Sequence, residues 1–210
     1  MNRTILLAGA TSAAGLASAR ALIDAGARVI ATGRSTERLT ALADAGAQAE
    51  VADATSLADM TALAERIGAV DAVIPLVGGW RGGGGLAGQS DEDFGALLPA
   101  LQAVRATSRA FDAAIRASDG GRFAIVSSTA VERPLAGGAN YASIKAACEA
   151  WARAVAQGYA KAARDAEEPL RAASVVFRAK GGLDPDALAR AVAGLWDADA
   201  GELNDTVIRL

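Results

Sequence analysis

The stretch Ile5-Leu6-Leu7-Ala8-Gly9-Ala10-Thr11-Ser12-Ala13-Ala14-Gly15-Leu16-Ala17 decides the fold. Ile5 to Ala8 is a short apolar run that reads as a buried strand. It breaks at a glycine and passes through small residues into an alanine-rich segment, Ala14 to Ala25, which reads as a helix stopped by Gly26. Gly9 permits a tight turn out of the strand. The small residues Ala10, Thr11, Ser12, Ala13 and Ala14 let backbone come close to a ligand, and Gly15 lets the helix start against the sheet. The amino end of such a helix offers free N–H groups and a positive dipole end, which suit a pyrophosphate. On spacing alone the pattern is incomplete, because Gly9 and Gly15 lack the full GxGxxG, so an ordinary strand–helix turn is the competing reading.

Working outward, the same alternation repeats. Arg28–Thr32, Gln48–Val51, Ala72–Val77, Arg122–Ser127, Ala172–Phe177 and Thr206–Leu210 read as further strands. Between them, Ser35–Ala45, Ser56–Ile67, Asp91–Ala117, Asn140 to about Arg164, and Pro185–Trp196 read as helices. Pro75 is unusual inside a strand, and Pro99 marks an expected kink. Strands separated by helices imply parallel βαβ units with right-handed crossovers. The expected fold is α/β: a three-layer, doubly wound Rossmann fold with a mostly parallel seven-stranded sheet, as one domain over residues 1–210. The glycine-rich segment Gly78–Gly88 reads as a mobile loop on the carboxyl edge of that sheet, where ligands bind in this architecture.

Composition narrows the chemistry. The 210 residues contain no histidine and one cysteine, Cys148. That excludes Ser-His-Asp and Cys-His triads, zinc sites built on His or several Cys, iron–sulfur clusters and an internal disulfide; no metal site is expected. Acid–base work near neutral pH falls to Tyr, Lys, Asp, Glu or Cys. A net charge of −3 with no basic run argues against nucleic acid as a partner. No apolar stretch reaches the roughly 18 residues of a membrane helix, so no membrane partner is expected and the cytoplasm is the default location. Cys148 reads as a small buried side chain.

Two edges carry the candidate residues. At the end of the second strand Gly33-Arg34 stands where an acidic residue would accept a ribose 2′-hydroxyl; a guanidinium there instead suits a 2′-phosphate, which points to NADP over NAD. Asp53-Ala54 follow the third strand on the same edge, with Asp53 read either as an adenine contact or as a cap of the next helix. Further on, Ser128 ends the fifth strand, and Tyr141 and Lys145 lie four residues apart on one helix face. An ammonium beside a phenol favours the phenolate, so Lys145 is expected to lower the Tyr141 pKa from its usual value near 10. Trp80 and Arg81 sit in the glycine-rich loop; the two readings are a contact to an anionic substrate and a disordered loop with one exposed aromatic.

Together these segments resemble the short-chain dehydrogenase/reductase family over nearly the whole chain: the Ala8–Ala17 turn, Gly33-Arg34, Asp53, the Ser128, Tyr141 and Lys145 set, and the tail Asn204-Asp205-Thr206-Val207-Ile208. The resemblance implies an NADP-dependent oxidoreductase moving hydride between nicotinamide and a carbonyl or secondary alcohol. Tyr141 is then the general acid/base, Lys145 the ribose contact that tunes it, and Ser128 the group that orients the substrate oxygen. It also implies cofactor contacts at Gly9, Thr11, Ser12, Ala13, Ala14, Gly15, Val77 and Gly78, and a homodimer or homotetramer acting on a small molecule. Several family features differ here: Ala8 and Ala13 replace a Thr and a Gly of the turn, and Pro75-Leu76-Val77-Gly78 replaces Asn-Asn-Ala-Gly. The family's helix Asn falls near Leu101, beside Gln102; Phe177-Arg178-Ala179-Lys180-Gly181-Gly182 replaces a Pro-Gly; and the substrate-covering segment is almost absent. The site is therefore expected to be open, or covered by a partner or by the Gly78–Gly88 loop. The alternative reading is a non-catalytic NADP-binding or regulatory protein on the same fold.

Overall fold

The computed structural model describes residues 3–210. The apolar runs form seven strands: β1 (Thr4–Ala8), β2 (Arg28–Gly33), β3 (Gln48–Val51), β4 (Ala72–Pro75), β5 (Arg122–Ser128), β6 (Ala173–Ala179) and β7 (Thr206–Arg209). The intervening segments form α1 (Ala13–Asp24), α2 (Thr36–Asp44), α3 (Leu57–Ile67), α4 (Asp91–Ala117), α5 (Ala139–Asp165), α6 (Pro185–Ala193) and α7 (Ala200–Leu203). The strands make one sheet in the order β3-β2-β1-β4-β5-β6-β7. Every pairing is parallel, so the antiparallel member that "mostly parallel" left room for does not occur.

Strand side chains alternate between two cores, as a sheet covered on both faces requires. Leu6, Ile30, Val73, Phe123, Ile125 and Val176 face the layer of α3, α4 and α5. Ile5, Leu7, Val29, Ile74, Val175 and Phe177 face the layer of α1, α2, α6 and α7. The chain therefore changes sides between β1 and β4, and the crevice at that switch point opens beyond the strands' carboxyl ends.

Pro75 shapes this crevice. It is the last residue of β4 and pairs with Ala8 of β1, whereas pairing of β4 with β5 ends at Val73 and Phe123. A proline has no N–H for a ladder, so it sits where β4 has already parted from β5. β5 continues beside β6 as far as Ser128 and Ala179. β4 thus stops short of the expected Val77, while β6 runs past the expected Phe177. The segment read as one helix to Trp196 divides into α6 and a 3-10 turn, Gly194–Trp196, and α7 was not foreseen. α4 runs as one helix through Pro99.

Helix starts follow capping chemistry. Ser12, Ser35, Ser56, Ser90 and Asp184 each accept a hydrogen bond from the first turn of α1, α2, α3, α4 and α6. The long helix α5 is different, because Gly138 at its start supplies no side-chain cap. Among the described residues no helix is long and apolar enough to cross a membrane.

Candidate active site

The β1–α1 turn is built around close contacts. Gly9 has a φ of +73°, and a Cβ there would lie 2.4 Å from Cγ2 of Val77. A Cβ on Gly15 would lie 2.0 Å from the Ala10 carbonyl oxygen, so α1 starts this close to the turn only with glycine. Buried Thr32 of β2 holds the turn from the side: Gly9 N–H donates to its hydroxyl at 3.0 Å and Ala10 N–H to its carbonyl at 2.9 Å. Ser12 takes Gly15 N–H at 3.2 Å. The N–H groups of Ser12, Ala13 and Ala14 find no acceptor among the described residues, and all three residues line a cavity. Free amides at a helix start make an anion cradle, so the residues present fit a pyrophosphate.

That cavity, about 1340 Å³, spans the crevice beyond β1, β4, β5 and β6. Ser12, Ala13, Ala14, Val77, Gly78, Ser128, Tyr141 and Lys145 all line it. The structure thus brings together the phosphate end and the Ser-Tyr-Lys set. Gly9, Thr11 and Gly15 support the turn from outside the wall, and Arg34, Asp53 and Ala54 lie on the sheet edge beyond it. Arg34 is exposed at the end of β2, and its guanidinium is unpartnered among the described residues. A Cβ on Gly33 would lie 2.6 Å from Cγ2 of Thr11, which keeps this edge tight against the turn. One Asp53 carboxylate oxygen accepts both the N–H and the hydroxyl of Thr55, at 2.9 and 2.8 Å, while Ser56 caps α3. Asp53 is therefore not the cap of α3, as one reading of the sequence had it: Ser56 takes that place, and Asp53 instead holds the turn before it through Thr55. Ala54 is buried.

At the other end, Ser128 closes β5 and Tyr141 and Lys145 project from the first two turns of α5. The Ser128 oxygen accepts Ala130 N–H at 3.1 Å, leaving its own hydrogen to donate. Burial pushes the Tyr141 phenol above its usual pKa, and the Ser128 hydroxyl pulls it part of the way back. This corrects the expectation that Lys145 lowers it. The ammonium lies 5.8 Å from the Tyr141 ring centroid and donates to the Val126 carbonyl at 2.8 Å. Burial also lowers the Lys145 pKa, against the pull of Cys148 and Glu149. Cys148 is buried as expected, and burial raises its thiol.

α4 gives the cavity only Ala100 and Val104; Leu101 packs on the core and Gln102 is exposed, so neither supplies the polar group sought there. Arg81 turns from the cavity, donating to the Trp80 carbonyl and standing 3.9 Å from Asp93, whereas Trp80 lines the wall. Arg81 therefore does not line the cavity wall. The Gly78–Gly88 loop meets the turn before α5, with Gly83 N–H donating to the Gly137 carbonyl at 2.7 Å.

An ion cluster stands where a Pro-Gly was missed. Glu149 of α5 receives Arg178 of β6 in a fork, at 2.8 and 2.6 Å, and the Ser127 hydroxyl at 2.7 Å. Arg178 and Arg209 both reach Glu132 at 2.7 Å. These partners lie 22 to 77 residues apart in sequence. The cluster clamps the ends of β5, β6 and β7 to the helix that carries Tyr141. Charge spacing on α5 alone hinted at half of it, since Tyr141, Lys145, Glu149 and Arg153 recur every four residues. Arg133 is the charged wall residue with no partner among the described residues.

The sequence matches the family profile described as short chain dehydrogenase over residues 3–163. No curated protein matches it. Among solved structures, a variant of actinorhodin polyketide ketoreductase with NADPH is 21% identical, with a TM-score of 0.81 over 100% of this chain and 95% of that one. A provisionally named short chain dehydrogenase from Shigella flexneri 2a, complexed with NADP, is 21% identical, with a TM-score of 0.83 over 100% and 97%. A short-chain type dehydrogenase/reductase from Mycobacterium ulcerans is 18% identical, with a TM-score of 0.84 over 100% and 88%.

Proposed function

Because the chain belongs to the short chain dehydrogenase family, we propose that it is an NADP-dependent oxidoreductase acting on a carbonyl or secondary alcohol, with Tyr141 as the proton donor and acceptor. One observation carries the reading: a single cavity joins the unpartnered amides at the start of α1 to Ser128, Tyr141 and Lys145. Ser12, Ala13 and Ala14 would hold the pyrophosphate, Arg34 the 2′-phosphate, Val77 and Gly78 the nicotinamide ribose face, and Lys145 the ribose hydroxyls. When bound, the nicotinamide supplies or takes the hydride.

The chain's own residues handle the oxygen and its proton. In reduction, the Tyr141 hydroxyl donates its proton to the carbonyl oxygen as that oxygen gains negative charge, and in oxidation the phenolate takes it back. A phenol held above its usual pKa by burial carries its proton at neutral pH, so the proton is present to be given, and the Ser128 hydroxyl offsets part of the loss in acidity. The Ser128 hydroxyl, which is turned toward the Tyr141 phenol, would donate to the same substrate oxygen. Lys145 stays anchored on the Val126 carbonyl, with its charge 5.8 Å from the centroid of the phenol ring. The substrate is a small molecule, and the reading carries with it a cytoplasmic homodimer or homotetramer.

Titration with NADPH and NADH tests the cofactor assignment. Wild type is expected to prefer NADPH, and Arg34→Ala to lose about tenfold in NADPH affinity while NADH is unaffected, as for loss of a charge-assisted contact worth roughly 1.5 kcal/mol. In a carbonyl screen, Tyr141→Phe should bind NADPH normally and lose turnover by about a hundredfold or more. Binding with no turnover in either protein would instead favour a non-catalytic NADP-binding role, which the apolar α4 wall, Ala100 and Val104, would then explain.

A further inference from the structure

The cavity has almost no cover from the β6–α6 connection, which is only Lys180–Asp184. A cover comes from another place. The Gly78–Gly88 loop leaves β4 and crosses to the Ala136–Gly138 turn that precedes α5. The two backbones abut, since a Cβ on Gly82 would lie 2.4 Å from the Gly137 carbonyl oxygen. Trp80 and Leu135, 62% and 71% exposed, bring apolar side chains to the rim from the two sides.

Gln89 holds this junction from both ends of its amide. Its Nε2 donates to the carbonyls of Gly83, Gly85 and Gly137, at 3.1, 3.3 and 3.1 Å. Its Oε1 accepts the N–H of Asn140 at 3.1 Å. Asn140 is the second residue of α5, which has no local side-chain cap, and Tyr141 is the next residue. One partly buried side chain therefore folds the loop, ties it to the turn, and caps the catalytic helix from 51 residues away. Asn140 returns the tie by donating to the Ser90 carbonyl at 3.0 Å.

We propose that Gln89 is a positioning residue that latches the Gly78–Gly88 loop across the cavity as the substrate's cover and fixes the start of α5 beneath Tyr141. The loop does the work of the missing segment after β6, and the substrate it admits is a carbonyl compound whose apolar body lies against Trp80 and Leu135. The cover's role rests on the oxidoreductase reading; the latch itself does not.

Hydrogen exchange of the full chain, read by mass spectrometry, separates the two. Gln89→Ala is expected to speed exchange in residues 82–90 and 138–141 about tenfold, the effect of losing roughly 1.4 kcal/mol of hydrogen bonding. Gln89→Glu keeps an acceptor for Asn140 but loses the donors, so residues 82–90 should open while 138–141 stay protected. Unchanged exchange in 82–90 for Gln89→Ala overturns the latch. Equal opening of both segments in Gln89→Glu overturns its two-sided action. With NADPH as probe, acrylamide should quench the fluorescence of the bound cofactor about threefold more strongly in Gln89→Ala, as expected when local opening exposes the site. Equal quenching overturns the cover. Failure of NADPH to bind overturns the oxidoreductase reading and the cover with it, while the exchange result still decides the latch.

Discussion

The β1–α1 turn and the β6–α6 turn both leave the carboxyl edge of the sheet and both line the cavity, yet they are held by opposite means. The first is fixed by contact. Gly9, Gly15 and Gly33 each sit where one added carbon meets an atom at 2.0 to 2.6 Å, and no charged side chain takes part. The second is loosely filled, with nothing within 4 Å of a Cβ on Gly181 or Gly182. Its anchor is the charge cluster of Arg178, Glu149 and Glu132 at its base. A turn that must bring backbone amides to a ligand tolerates no variation in path. A turn that closes the far wall can be held at one end and left free at its tip.

The largest expected effect tests the first half of this contrast. Gly15→Val should cost about 4 kcal/mol or more, because the new atoms meet backbone of Ala10 rather than a side chain that can move. A thermal melt should fall by about 10 °C or fail to show a folded baseline. Next is Glu149→Gln, expected to cost about 3 kcal/mol at neutral pH by leaving the Arg178 fork half satisfied. Burial pushes the Glu149 carboxyl up, but hydrogen bonds from Arg178 and Ser127 and the charges of Arg178 and Arg153 outweigh it, so the folded pKa lies below its ordinary value. The stabilisation is therefore complete above the unfolded value near 4.5 and is lost as pH falls through the folded one. Melting temperatures of wild type and variant should converge on acidification; a constant gap would mean the cluster's charge is not what holds this end. The smallest effect belongs to Gly182→Ala, where space is open and φ is not in the left-handed range. It should leave NADPH binding unchanged and raise stability by about 0.5 kcal/mol.

The same contrast explains what could be read from residues alone. Contact-determined parts leave local marks: a glycine at a strand end, small residues after it, a phenol and an amine four apart on a helix. The turn, the parallel doubly wound sheet and the Ser128, Tyr141 and Lys145 grouping are legible for that reason. Charge-held and amide-held parts join residues far apart in the chain. Nothing near Gln89 announces Asn140, and nothing near Arg178 announces Glu132, because each partner is supplied by a segment distant in the chain, α5 for one and the connection after β5 for the other. The phenol departs from its spacing for a related reason. Spacing put Lys145 beside Tyr141, but the Val126 carbonyl claims the ammonium and burial then governs the phenol.

The brevity of the β6–α6 connection also makes it a port for engineering. Ala179 and Pro185 both stand on the cavity wall with five residues between them, and at the tip a Cβ on Gly181 or Gly182 would meet nothing within 4 Å. Chain-closure entropy rises only with the logarithm of length, so extending those five residues fourfold costs about 1.2 kcal/mol. An inserted segment would emerge over the nicotinamide end with the scaffold below it unchanged. The fold thus separates Ser128, Tyr141 and Lys145, on β5 and α5, from the β6–α6 connection, and the second can be rewritten without disturbing the first.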